Sequence, residues 1–149
     1  MNVIAVGVDQ SAGAKEALHF ALEEARLRNA TLRAVHAWQF GYIGLTEMEG
    51  LLPAVGGDLR DFRDAAEAAL DSTLREAIPD AGDVKVERRV IEGAPGAVLV
   101  DESRGADLLV VGSRGHGGFA QLLLGSVTQQ CAHHAECPVV IVRSNADTD

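Results

Sequence analysis

Short apolar runs alternate with longer stretches in which apolar residues recur every three or four positions, and this alternation fills most of the chain. Five runs read as strands: Val3 to Val8, Leu32 to Ala37, Val84 to Ile91, Leu108 to Val111 and Val139 to Val142. In the third, Lys85, Glu87 and Arg89 alternate with apolar residues, which predicts an edge strand with one wetter face. The fourth and fifth are continuous, which predicts burial on both sides. Between the first two runs, Ala14, Ala17, Leu18, Ala21, Leu22 and Ala25 form one face of a helix. Phe62, Ala66, Ala69, Leu70, Thr73, Leu74 and Ala77 repeat that spacing until Pro79 stops it. A shorter helix starts near Pro95, where proline suits a first turn, and runs to Arg104. The last helix starts at Ser126, a good N-cap, and carries Val127, Cys131 and His134 on one face.

The predicted order is βαβαβαβαβ. Strands alternating with helices imply a parallel sheet with right-handed crossovers and a helix layer on each face, a three-layer α/β/α sandwich. Ligands of such sheets bind beyond the carboxyl ends of the strands, where the strand order reverses. Two candidate site elements lie at such ends, Asp9 after the first strand and Gly112 after the fourth. If both touch one ligand, strands one and four are neighbours and the order is 3-2-1-4-5. The stretch from Gln39 to Gly56 breaks the rhythm. It is long for a connection and carries Tyr42, Leu45, Met48, Leu51 and Leu52, so a lid, a partner surface and a short helix on the domain edge all fit it.

Composition narrows the function. At 149 residues the chain is most simply one domain over residues 1–149, able to bury roughly two-thirds of its unfolded surface. A net charge of −9 argues against a general nucleic-acid binder, which needs clustered Lys and Arg. A nucleotide held by local dipoles and a metal ion is not excluded. Cys131 and Cys137 lack the spacing of a zinc site, and Cys131 reads as a reduced core thiol. The first strand begins almost at Met1, with no leader before it, and no apolar run approaches the ~20 residues that span a bilayer. The expected compartment is the cytoplasm, and residues 144–149 are expected to form a flexible tail.

The segment Gly112 to Ser126, GSRGHGGFAQLLLGS, carries the chemistry. A strand, a glycine-rich loop and a helix start together make an anion site, because glycine lets the backbone approach closely and free N–H groups point at the charge. No Gly-Lys occurs anywhere, so GxxxxGK[ST] and with it a conventional P-loop ATPase or GTPase is excluded. Gly115-His116-Gly117-Gly118-Phe119-Ala120 fits GxGxxA, yet only one strand follows, and Val140 stands about where a ribose-binding acid is expected. What remains is Gly-x2-Gly-x9-Gly-Ser in a strand–loop–helix context.

On these residues GSRGHGGFAQLLLGSVTQQCAHHAECPVVIVR resembles the C-terminal third of bacterial universal stress proteins of the ATP-binding subclass. VGVDQSAGAKEAL is similar to that family's first strand and loop, and VHAW and VIEGAPGAVLV resemble its second strand and third strand–helix junction. The resemblance implies a five-stranded parallel fold of the adenine nucleotide α-hydrolase-like kind that binds ATP, usually with Mg²⁺ or Mn²⁺. It also implies a homodimer joined through the last strand, residues 138–142, and at most slow ATP hydrolysis or autophosphorylation. Gly112, Gly115, Gly125 and Ser126, flanked by Val111 and Val127, match its phosphate and ribose contacts. Asp9 matches an acid at the end of strand one, preceded by Gly7 and Val8, and Ala37 matches a position lining the adenine pocket.

The side chains agree with those roles. Ser126 brings a hydroxyl and the N–H groups behind it lead into a helix dipole. Arg114 is a candidate clamp on polyphosphate oxygens, and His116, beside Gly117, is the loop's other chargeable group. Asp9 would repel bare ATP, so it suits a metal held directly or through water, a ribose contact, or a structural role capping the next helix or satisfying loop amides. His133 and His134 face different directions on a helix, one packed and one solvated, which disfavours a metal site. His36 reads as a satisfied core histidine. One arginine and one aspartate are too few for efficient phosphoryl transfer, so no catalytic residue is assigned. The expected function is a nucleotide-loaded stress-response module with an unidentified protein partner. The alternatives are a small nucleotide α-hydrolase-type enzyme and an interaction module that ignores nucleotide. An unpaired final strand would be an open apolar edge, which pairing with a second copy would cover.

Overall fold

Strand and helix alternate through the residues that the computed structural model describes, which are 2–9, 11–39, 59–113 and 124–143. The elements are β1 (Val3–Gly7), α1 (Ala12–Arg28), β2 (Thr31–Trp38), α2 (Leu59–Ala77), β3 (Val86–Glu92), α3 (Pro95–Ser103), β4 (Leu108–Gly112), α4 (Ser126–His134) and β5 (Val139–Val142). All neighbouring strands are parallel and the sheet order is β3-β2-β1-β4-β5, as the pattern predicts. Most of the Gln39–Gly56 stretch, the centre of the glycine loop and the expected tail fall outside the described residues.

Period-two alternation in the strands sorts the core into two layers. Ile4, Val6, Leu32, Ala34, Leu108 and Val110 face one way and pack with Leu18 and Leu22 of α1 and Leu70 and Leu74 of α2. Ala5, Val35, Leu109 and Val111 face the other way, against Val98 and Leu99 of α3 and Cys131 of α4. Ile4, Leu18, Leu32 and Leu70 are each 0–1% exposed. Burial on this scale stabilises by roughly 1.5–3 kcal/mol per large side chain.

Both edge strands are half-exposed. In β3 the edge position is the one expected, although exposure does not alternate, since Val86 and Glu87 are both half-buried and Arg88 and Arg89 both exposed. In β5 it corrects the expectation of burial on both sides, because every residue from Val139 to Val142 keeps part of its surface. Continuous apolar sequence suits a central strand such as β4, but β5 has a partner strand on one side only, among the described residues.

Side chains fasten the elements where the ladder ends. Asp107 Oδ2 accepts the Val3 N–H at 2.7 Å, joining the start of β1 to that of β4. Glu102 of α3, 8% exposed, takes Arg33 of β2 at 3.3 Å and Arg89 of β3 at 2.7 Å. The buried Ser103 hydroxyl accepts the Glu136 N–H at 2.9 Å, anchoring the turn before β5. Gly93, at φ +153°, donates its N–H to Trp38 O at 2.7 Å where β3 passes into α3.

Cys131 is fully buried and Cys137 half-buried, both as free thiols. Burial, with the nearby Cys137 second, pushes the Cys131 thiol up to about 11. The two histidines of α4 differ from expectation, since both are exposed, with ring centroids 6.2 Å apart. The buried stripe of α4 runs through Thr128 and Cys131, and Ala135 continues it just beyond the helix in place of His134. No helix among the described residues is long and apolar enough to cross a membrane.

Candidate functional site

The carboxyl ends of β1, β2 and β4 meet where the strand order reverses. Gly7 pairs with Val35, and the chain keeps to β2 for one residue more, with the Val8 N–H donating to Val35 O at 2.8 Å. His36 Nδ1 then donates to Val8 O at 2.8 Å, so this half-buried histidine is structural, as its sequence context suggests. The bond sets Ala37 beside the exit of β1. Gly7 lies against Leu99 of α3, and Val8 is buried in the α1-side core.

Asp9 follows, half-exposed, and its carboxylate is held by the start of α1. Oδ1 accepts the Ser11 N–H at 2.8 Å and the Ser11 hydroxyl at 2.5 Å. Ser11 is itself the N-cap of α1, its Oγ accepting the Ala14 N–H at 3.2 Å. Satisfying a loop amide is therefore one role that Asp9 fills, while the cap position belongs to Ser11.

On the other side of the switch point, β4 ends with Val111 buried and Gly112 pressed against α1. A Cβ at Gly112 would lie 3.3 Å from the carbonyl carbon and oxygen of Gly13, so the first turn of α1 sits directly on the end of β4. The Gly112 carbonyl accepts the buried Thr128 hydroxyl at 2.6 Å. The Gly125 N–H donates to Ser113 O at 2.8 Å, and the Ser113 N–H to Val142 O at 2.9 Å. These bonds fix the start of α4 beside the end of β4.

The cap of α4 is one residue earlier than the pattern suggests. Gly125 is the N-cap, extended at φ −70° and ψ 165° with no side-chain cap, and its carbonyl accepts the Gln129 N–H at 3.0 Å. Ser126 is the first helical residue and is exposed, and Val127 is half-buried. The correction matters chemically. A serine at the cap turns its hydroxyl back onto the helix amides, whereas a glycine there leaves the first-turn N–H groups without a side-chain acceptor.

Two helix N-termini thus flank the end of β4, and they differ. That of α1 is closed by Ser11 with Asp9 behind it, while that of α4 has only backbone at its cap. Each carries a partial positive charge of about half a unit. The structure brings Gly7, Val8, Asp9, Ala37, Val111, Gly112, Gly125, Ser126 and Val127 to this one end of the sheet. Arg114, Gly115, His116 and Gly117 lie outside the described residues. Among the described residues no group of three or more His, Cys, Asp or Glu is placed to hold a metal.

Ser11, Gly13 and Thr128 belong to this end of the molecule and were not singled out in the sequence. Ser11 had a signal, a serine directly before a helical repeat, which is an N-cap pattern. Gly13 and Thr128 had none, because their roles are contacts with Gly112, about 100 and 16 residues away in the chain.

The topology defines a doubly wound α/β protein in which two helix starts flank the end of β4 at the switch point. The universal stress protein family model matches residues 1–143, and the chain belongs to that family. A universal stress protein of Mycolicibacterium smegmatis is 36% identical over 143 residues, covering 94% of this chain and 45% of the relative. The chain thus spans about half the length of the curated relatives it matches. Among solved structures, the universal stress protein UspA from Lactobacillus plantarum shares the fold at a TM-score of 0.75, with 23% identity over 95% of this chain and 97% of that one. A universal stress protein solved in complex with cAMP is 29% identical, with a TM-score of 0.59 and 95% of each chain covered.

Proposed function

We propose that this universal stress protein binds an adenine nucleotide at the carboxyl end of β1 and β4, with ATP as the physiological ligand. The observation that carries the reading is the start of α4, where a glycine cap without a side-chain acceptor is tied to the end of β4 at the switch point. The relative solved with cAMP supports it, since cAMP shares with ATP the adenine, the ribose and one phosphate. In this reading Gly112, Gly115, Gly125 and Ser126, between Val111 and Val127, surround the phosphates. Arg114, His116 and Gly117 contribute from the loop. Ala37 with Gly7 and Val8 lines the base, and Asp9 meets either the ribose or a hydrated Mg²⁺ or Mn²⁺.

The donor set fits a metal carried in by the nucleotide. A hard divalent cation would take phosphate oxygens and water, with one carboxylate at most from the protein. Bound ATP would order the glycine loop and change what the module presents to a protein partner, with hydrolysis or autophosphorylation slow at most. The half-exposed β5 supports pairing with a second copy through residues 138–142, and the whole is read as one domain working in the cytoplasm.

Thermal unfolding with Mg-ATP tests the binding step. Ligand at 100 times Kd stabilises by about 2.7 kcal/mol, so a clear upward shift is expected. Its absence, together with no nucleotide in mass spectra of the denatured purified protein, overturns the reading. A monomeric mass at micromolar concentration overturns the dimer.

A further inference from the structure

We infer that Ser11 is a positioning residue that fixes the Asp9 carboxylate so that the site distinguishes nucleotides by their ribose hydroxyls. The inference rests on the adenine-nucleotide reading above and concerns a residue to which that reading gives no role. Three hydrogen bonds run in one direction, from the Ala14 N–H to Ser11 Oγ and from the Ser11 hydroxyl and N–H to Asp9 Oδ1. Because Ser11 Oγ accepts from Ala14, its own proton is directed at Asp9. Oδ1 of the carboxylate is thereby tied to a helix whose first turn lies against Gly112. A rigid acceptor of this kind rewards a donor on an equally rigid frame, and a ribose hydroxyl is such a donor.

Two features of the same geometry disfavour direct metal coordination. The Ser11 N–H and hydroxyl occupy Oδ1, so a cation there would have to displace both or share a carboxylate already partly neutralised by them. The N-terminal end of α1 also places partial positive charge beside Asp9, which opposes a divalent cation and leaves a neutral hydroxyl unopposed. Asp9 therefore recognises sugar, and Ser11 makes that recognition directional.

The test compares affinities of the full chain for ATP and 2′,3′-dideoxy-ATP, with and without Mg²⁺, read from the single tryptophan, Trp38, at the end of β2. The native protein should bind ATP at least about tenfold more tightly than the dideoxy compound, as expected for a hydrogen bond to a charged group. In Ser11→Ala the ATP affinity should fall by about that factor while dideoxy-ATP binding stays, so the preference collapses. Ser11→Thr, which keeps the hydroxyl, should restore it. Ser11→Gly removes the hydroxyl with little loss of helix capping and serves if the alanine variant is poorly folded. A Ser11→Ala or Ser11→Gly protein that keeps the native preference overturns the inference. So does a native protein without a sugar preference, or one whose dependence on Ser11 appears only with Mg²⁺. Failure of the native protein to bind either nucleotide overturns the binding reading itself, which is a different result.

Discussion

Replacing Gly112 by alanine tests the contact on which the geometry of the site depends. The new Cβ would stand 3.3 Å from the carbonyl carbon and oxygen of Gly13 and 3.6 Å from its Cα. Carbon atoms rest at about 3.5–4.0 Å, so the contact is a few tenths of an ångström too close at the carbonyl carbon and oxygen and ordinary at Cα. No side chain can rotate away. The 17-residue α1, anchored by Ala17, Leu18, Ala21 and Ala25 at 0% exposure, must shift as a body or β4 must bend. Overpacking of this kind costs about 1–2 kcal/mol, less about 0.5 kcal/mol regained because alanine restricts the unfolded chain. For a protein of this size the net loss lowers Tm by about 2–4 °C. The displacement also moves Ser11, the N-cap of α1, and with it Asp9. If nucleotide affinity falls tenfold, ligand that stabilised the native protein by about 2.7 kcal/mol stabilises the variant by about 1.4 kcal/mol. Thermal scans with and without Mg-ATP read both effects. A variant that melts at or above the native temperature, with the full ligand shift, would refute the reasoning.

Cys131 sets an alkaline limit on stability. Its folded thiol titrates at about 11 against an ordinary value of 9.0, so the folded state resists ionisation that the unfolded state undergoes. The stabilisation is complete below pH 9 and is lost as pH rises towards 11, by about 2–3 kcal/mol, and Cys131→Ala should flatten that slope in urea titrations. Glu102→Ala should cost about 2–3 kcal/mol in chemical denaturation, because Arg33, only 17% exposed, would keep Glu87 alone as its partner; an unchanged midpoint would count against that network. Gly93→Ala should cost about 1–3 kcal/mol, since φ is +153° and the added Cβ would meet Val98 Cγ2 at 2.8 Å; native-like melting would refute this.

Strand and helix periods exposed the fold because each element buries one face, and the strand order followed from requiring Asp9 and Gly112 to share an end of the sheet. The sequence was less informative wherever a residue's role depends on its position in that sheet. Val139 to Val142 and Leu108 to Val111 are equally apolar, yet one run is an edge and the other is central. At the start of α4, serine outranks glycine only slightly as a cap, so Gly125-Ser126 left the boundary uncertain by one residue, and the structure assigns the cap to Gly125. His134 is exposed because the buried stripe of α4 runs through Thr128, Cys131 and Ala135 instead. The Ser11–Asp9 pair is local and carries an N-cap signal that was not singled out, whereas the Gly112–Gly13 contact becomes visible only once β4 lies beside α1.

Placing β1 between β2 and β4 also bears on how the chain is made. On a ribosome β2 emerges soon after β1 and can pair with one of its edges, but the partner for the other edge begins only at Leu108. Until then Val3 to Val6, buried in the finished sheet, would present unpaired amides and apolar side chains to other nascent chains. Nascent chains that stop before β4 should therefore self-associate or recruit chaperones, and release from that state should coincide with synthesis of β4, when Asp107 can bond the Val3 amide.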